Sequence, residues 1–180
     1  MVKQNTKEKK KNIYLIGFMG CGKTTVSNYL HKEYNRKQIE MDEEIQKEEG
    51  MSISEIFSQK GEAYFRELET KLLRRLGREE NFVVSCGGGV PMRETNVKEM
   101  KQNGKIVLLL AEPETIYERV KSSHNRPLLE GHMNVEYIAG LMEKRREKYQ
   151  AAADVCVYTD GREVAEICRE ILKRTDCENK

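Results

Sequence analysis

Gly17-Phe18-Met19-Gly20-Cys21-Gly22-Lys23-Thr24-Thr25 is the stretch whose reading decides the fold. It follows a short apolar run, Ile13 to Ile16, and leads into a segment, Thr24 to Tyr34, that suits a helix. Strand, glycine loop and helix in that order turn G-x-x-x-x-G-K-[ST] into a phosphate-binding loop. The glycines let the backbone curl until successive N–H groups face one anion. The new helix adds unpaired N–H groups and the positive end of its dipole. Gly20, Cys21, Gly22, Lys23, Thr24 and Thr25 are therefore the candidate nucleotide contacts. Lys23 would bring a point charge to the β- and γ-phosphates of ATP, and Thr24 a hydroxyl to Mg2+. The alternative is a chance Gly-Lys-Thr turn, which glycine's average usage of ~7% makes a rare accident.

Outward from the loop, apolar runs of strand type alternate with helical patterns, and no internal repeat is evident. Ile13–Ile16 reads as strand one and Gln38–Met41 as strand two, after which Asp42 can cap a helix that Gly50 ends. Ser52 and Glu55 form a capping-box pattern, Gly61 breaks the helix they start, and Glu62–Leu76 is amphipathic. Phe82–Ser85, Ile106–Leu110 and Val155–Tyr158 read as strands three to five. Helices are expected at Arg93–Gln102, Pro113–Val120, Asn134–Ala151 and Val164–Lys173. Such alternation predicts a three-layer α/β/α fold with a five-stranded parallel sheet, whose ligands sit at the carboxyl ends of the strands.

Bulk properties narrow the class. At 180 residues the chain suits one domain, 12–175, between a disordered basic leader, 1–11, and a frayed tail, 176–180. A net charge of +2 gives no global pull toward nucleic acid or membrane. No apolar stretch approaches the ~20 residues of a membrane span, and Met1 to Asn12 lacks the apolar core of a signal peptide. Cys21, Cys86, Cys156, Cys168 and Cys177 are odd in number and scattered, which suits reduced thiols and a cytoplasmic protein. Cys21 lies inside the phosphate loop, where oxidation or alkylation would harm function. A monomer is expected.

Several further residues could carry chemistry. Glu40 and Asp42, two apart at the end of strand two, would lie on one side and suit magnesium and an acceptor hydroxyl; the alternative is a helix cap with solvated neighbours. Arg66 alone reads as a surface arginine pairing Glu62 or Glu69 at helical spacing. Gly87-Gly88-Gly89 after a buried strand makes poor structure but suits a backbone that approaches a ligand; a tight turn is the other reading. Arg126, in the polar break at about 121–133, could neutralise phosphates from a mobile lid, or belong to an ordinary surface loop. His124 and His132 have no partners at metal spacing, and Lys144-Arg145-Arg146 alone looks like a solvent-facing cluster.

Together these motifs resemble the shikimate kinase family. They are Gly20 to Thr25, Glu40-Met41-Asp42, Gly61 to Glu69 around Phe65-Arg66, Gly87-Gly88-Gly89, Arg126-Pro127-Leu128-Leu129, and Arg145 four residues before Tyr149, spread from Asn12 to about Lys173. The resemblance implies a P-loop NTPase fold like that of nucleoside monophosphate kinases. It also implies ATP-dependent phosphorylation of the shikimate 3-hydroxyl on the route to chorismate and the aromatic amino acids. It assigns Asp42, Arg66, Gly87, Gly88, Gly89 and Arg145 to shikimate, and Arg119, Arg126 and Arg162 to the nucleotide. Lys23, Asp42 and Arg126 would be catalytic, with Thr24, Glu40 and Ser85 around magnesium. Glu40 departs from the family's usual aspartate and is one methylene longer, which puts metal preference in question. A sugar-acid kinase, a nucleoside monophosphate kinase and a non-catalytic nucleotide-binding module are the competing readings. The glycine triplet with the Arg66 context argues against the first. The second lacks an evident second nucleotide site, and a module has no chemical need for acceptor-site arginines.

Overall fold

The computed structural model describes residues 11–121 and 134–176. β1 (Asn12–Ile16), α1 (Lys23–Tyr34), β2 (Lys37–Glu40) and α2 (Met41–Glu49) are followed by α3 (Ile53–Leu76) and β3 (Phe82–Ser85). A 3-10 turn, Val90–Met92, leads into α4 (Glu94–Asn103), β4 (Gly104–Leu110) and α5 (Pro113–Val120). α6 (Val135–Ala152), β5 (Val155–Tyr158) and α7 (Val164–Asp176) complete the described chain. The strands stand in the order β2-β3-β1-β4-β5, and every neighbouring pair is parallel.

β1 is buried from end to end because alternate residues feed opposite cores. Ile13 and Leu15 join Val83, Val107 and Leu109 against Leu30 of α1 and Ile171 of α7. Tyr14 and Ile16 join Val84 and Leu108 against Leu72 and Leu73 of α3 and Met100 of α4. Helices thus cover both faces, and the three-layer α/β/α expectation holds. From β1 the chain runs out to β2, returns at β3, and only then crosses to β4, so the carboxyl ends of the central strands frame a crevice.

At the other end of the sheet Asn12 acts as a clasp. Its Nδ2 donates to the carbonyls of Leu76 (3.2 Å) and Glu79 (3.0 Å), and its Oδ1 accepts from the Phe82 N–H (2.9 Å). A fully buried amide so used fixes where α3 ends and β3 begins. Within α3, Gly61 has φ 82° and ψ 165°, a kink that matches the expected break. Lys60 and Tyr64 on either side of it both bind Glu49 Oε2, at 2.8 and 3.0 Å, which ties the bent helix to α2. The capping box is present: the Glu55 N–H donates to Ser52 Oγ, and the Ser52 N–H to Glu55.

One local expectation fails. Strand two ends at Glu40, and Met41 belongs to α2. Met41 and Ile45, four apart, are both buried on one helical stripe, and that helical pairing wins over the strand reading. Glu40 is the N-cap and Asp42 lies in the first turn, so the two acids do not share a strand face and Asp42 does not cap the helix. Elsewhere β4 starts earlier than expected, at Gly104, and α7 runs past Lys173 to Asp176. The expected leader (except Lys11, whose carbonyl accepts from Arg36 Nη1 at 2.7 Å) and the expected lid, apart from Lys121, lie outside the described residues. So do Arg126, His124, His132 and residues 177–180. Among the described residues no helix is long and apolar enough to cross a membrane.

Replacing Asn12 with leucine keeps the approximate volume but strips three backbone partners, two of them buried, of their hydrogen bonds. The expected cost is about 2–3 kcal/mol. Urea unfolding of Asn12→Leu should show it as a lower midpoint at unchanged slope; an unchanged midpoint would contradict the clasp.

Candidate active site

The phosphate loop connects β1 to α1. Gly22 is the helix N-cap, in the left-handed region at φ 99°, and no side chain caps the helix. The first N–H groups of α1 are thus left for a ligand. Gly17 has φ 143°, and a Cβ on it would lie 2.5 Å from the Leu109 carbonyl oxygen and 2.7 Å from Cys21 Sγ, so only glycine fits. Lys23 arches across the loop, its Nζ donating to the carbonyls of Gly17 (2.8 Å) and Phe18 (3.1 Å). Cys21 is buried beneath it, with Sγ 3.9 Å from Nζ.

Beside the loop, Thr24 Oγ1 donates to Glu40 Oε2 at 3.1 Å and Ser27 Oγ to Glu40 Oε1 at 2.6 Å. Gln38 Nε2 donates to Ser27 Oγ at 2.9 Å, which completes a small network around the carboxylate. The sheet register sets Glu40 next to Ser85. A hydroxyl, a carboxylate and a second hydroxyl are an all-oxygen set, which fits a hard cation such as Mg2+. Thr24 with phosphate oxygens would hold such an ion, and Glu40 could do so directly or through water. Glu40 occupies this place although it is not on the same strand face as Asp42.

Across the crevice lies a cavity of about 650 Å³, lined in part by Arg66, Gly89, Met92, Arg93 and Arg145. Arg66 does pair with both glutamates at helical spacing. Its Nη1 donates to Glu69 at 2.9 and 3.0 Å, and its Nε and Nη2 donate to Glu62 Oε1 at 3.2 and 2.9 Å. That does not make it a mere surface residue, because the same guanidinium lies against Gly89, where any Cβ would collide with it. Arg145 packs between the two halves of the site. Its guanidinium carbon is 5.9 Å from the centre of the Phe18 ring in the phosphate loop, and its Nη1 is 3.1 Å from where a Cβ on Gly88 would stand.

Asp42 reaches over the glycine turn from the other side, with Oδ1 2.8 Å from the place of a Cβ on Gly87. Much of the residue is exposed, but its carboxyl group is crowded by protein. That loss of water raises its pKa above the usual value, while Lys23 and Arg66 pull it down and Glu40 and Glu43 push it up. Glu69 points at the same spot, its Oε1 3.2 Å from that Cβ position. The residue is fully buried, and burial lifts its carboxyl to about 7 in spite of Arg66, with Asp42 adding to the rise.

On the nucleotide side Arg119 touches the loop. Its Nη1 donates to the Gly20 carbonyl (3.1 Å) and Thr159 Oγ1 (3.2 Å). Arg162 lies at the same edge but spends its guanidinium on the Tyr158 carbonyl (3.0 Å) and Glu170 (2.8 Å).

The family model described as shikimate kinase matches residues 19–176 of this chain. The chain belongs to the shikimate kinase family. A shikimate kinase of Persephonella marina is 43% identical over 164 residues, 91% of this chain and 98% of that protein. The structure of shikimate kinase from Acinetobacter baumannii in complex with shikimate superimposes with a TM-score of 0.82 at 32% identity, covering 91% of this chain and 92% of that one. The shikimate kinase structure from Aquifex aeolicus gives 0.76 at 42% identity, covering 91% and 95%.

Sequence reasoning did not single out Glu69, although a signal was present. It falls among Phe65, Leu72 and Leu73 on the buried stripe of α3, where an acid is out of place. Ser27 and Gln38, which brace Glu40, gave no such signal.

Stability should carry the mark of Glu69. The native state keeps this proton up to about 7, while the unfolded chain releases it near 4.5. Between those values the native state binds more protons, so stability falls as pH rises through the window. Urea midpoints across that range should fall less for Glu69→Gln, which removes the proton but keeps an oxygen for Arg66. Equal slopes in the two proteins would contradict the assignment.

Proposed function

We propose that this chain transfers the γ-phosphoryl group of ATP to the 3-hydroxyl of shikimate, giving shikimate 3-phosphate and ADP, a step on the route to chorismate and the aromatic amino acids. The observation that carries the reading is the position of Arg145, which touches the phosphate loop at Phe18 and the glycine turn at Gly88. A nucleotide cradle and an arginine-lined acceptor cavity therefore share a wall.

Arg66 and Arg145 suit the acceptor's carboxylate, since a guanidinium fork matches it bidentately. Gly87, Gly88 and Gly89 let the backbone approach the ring. Asp42 receives a ring hydroxyl, and its raised pKa suits it to take the proton as the new P–O bond forms. Lys23 and the first N–H groups of α1 bind the phosphates, and Arg119 and Arg162 flank the nucleotide. Arg126 would neutralise the transferring group from the segment outside the described residues. Thr24, Glu40 and Ser85 are assigned to Mg2+, which when bound would offset phosphate charge. We take the working form to be a cytoplasmic monomer.

ADP release should be measured with ATP, magnesium and a panel of shikimate, gluconate and nucleoside monophosphates. The expected result is turnover with shikimate alone, reduced at least tenfold in kcat/KM by Arg66→Ala. Turnover of another panel member in preference to shikimate would overturn the reading. A second expectation concerns Glu40, whose extra methylene bears on octahedral magnesium. Titration of magnesium and manganese should give different metal dependence for the wild type and Glu40→Asp, and identical curves would contradict the assignment.

A further inference from the structure

The glycine turn has glycine at both of its central positions, and one hydroxyl donates to the peptide between them. Gly87 to Val90 close a β-turn through the Val90 N–H, which donates to the Gly87 carbonyl at 3.1 Å. Gly89, the third residue of the turn, has φ −87° and ψ −16°, the type I geometry. A type II turn has the same ends but places this residue near φ +80°, which glycine accepts without strain. The two forms interconvert by rotating the Gly88–Gly89 peptide about half a turn. Glycine at 89 also has a second effect: a Cβ there would run into the Arg66 guanidinium and displace it. The feature that makes room for Arg66 therefore also makes the flip available.

Tyr149 opposes it. This residue lies on α6, is only 5% exposed, and donates its phenolic O–H to the Gly88 carbonyl at 2.7 Å. Burial raises the phenol's pKa, with Arg145 pulling the other way, so the donor keeps its proton at neutral pH. The peptide is trans, so the Gly89 N–H points away from the Gly88 oxygen and hence away from Tyr149. Neither the Gly88 nor the Gly89 N–H meets an acceptor among the described residues. Gly89 itself lines the cavity with Arg66 and Arg145. A free amide donor beside two guanidinium groups is an arrangement for an oxyanion or hydroxyl oxygen. The flipped peptide would offer a carbonyl in its place, which repels an anion.

We propose that Tyr149 is a positioning residue that locks the Gly88–Gly89 peptide in the orientation presenting the Gly89 N–H to the acceptor. The proposal rests on the shikimate reading for its ligand, but the state of the turn is a property of the free protein.

Tyr149→Phe keeps the ring and its packing and removes the hydroxyl. One hydrogen bond of about 1 kcal/mol corresponds to a change of roughly fivefold. The expected result is a shikimate KM raised about three- to fivefold, fivefold being the most that such a shift toward the flipped form can produce, with the ATP KM within about twofold of wild type. In the free protein the Gly89 amide resonance in a 1H–15N spectrum should broaden or split in the variant. A single, unshifted Gly89 resonance overturns the proposal, as does a shikimate KM equal to that of the wild type. Equal rises in both KM values would mark Tyr149 as a packing residue only and also overturn it. If the wild type itself fails to use shikimate, the acceptor assignment falls, and the Gly89 resonance alone still decides whether Tyr149 locks the turn.

Discussion

The ion pair between Arg66 and the buried carboxylate of Glu69 is the contact on which the acceptor side depends. An acid stripped of water on the core face of α3 is costly unless its partner is close and well placed. Arg66 Nη1 meets both carboxylate oxygens, and that contact holds the guanidinium against the glycine turn. The same carboxylate crowds Gly87 together with Asp42, so side chains are excluded from the turn on two sides. The charges are coupled, since Arg66 lowers the pKa of both acids and Asp42 raises that of Glu69.

α3 supplies Glu62, Arg66 and Glu67 to the wall of the cavity beside the glycine turn. The parallel sheet supplies the common geometry. β1 ends in the loop, β2 in Glu40 with Asp42 in the helix beyond it, and β3 in Ser85 just before the glycine turn. Because neighbouring strands share one direction, these groups arrive at one edge without any long connection to bring them there. α6 then closes the arrangement from the far side, with Arg145 and Tyr149 one helical turn apart facing the same glycine, Gly88.

Features carried by contiguous residues were legible in the sequence. The loop from Gly17 to Thr25, the capping box at Ser52 and the kink at Gly61 each depend on local backbone chemistry, and each is where the residues place it. The glycine triplet stood out because it could not be explained as packing. Met41 was misread because four residues before α2 can satisfy a strand period or begin a helical stripe, and only the core against Ile45 decides. Arg66 shows a different limit: helical-spacing pairs with Glu62 and Glu69 suggest a surface arginine, yet the same side chain pairs with both and lines the cavity. The roles of Ser27 and Tyr149 depend on partners up to 61 residues away, as for Tyr149 and Gly88, which no local pattern encodes.

The central claim is that two guanidinium groups, with a glycine turn between them, read the carboxylate of a small acceptor beside a nucleotide loop. Calorimetric titration of the protein with shikimate and with its methyl ester tests that claim most directly. The ester keeps the ring and every hydroxyl but has no anionic group for Arg66 and Arg145. Shikimate is expected to bind at least ten times more tightly than the ester, since loss of charge-assisted contacts to two guanidinium groups costs more than about 1.4 kcal/mol in total in a partly desolvated cavity. Equal affinity for the two would show that the arginines do not read the carboxylate, and the account of the acceptor site would be wrong.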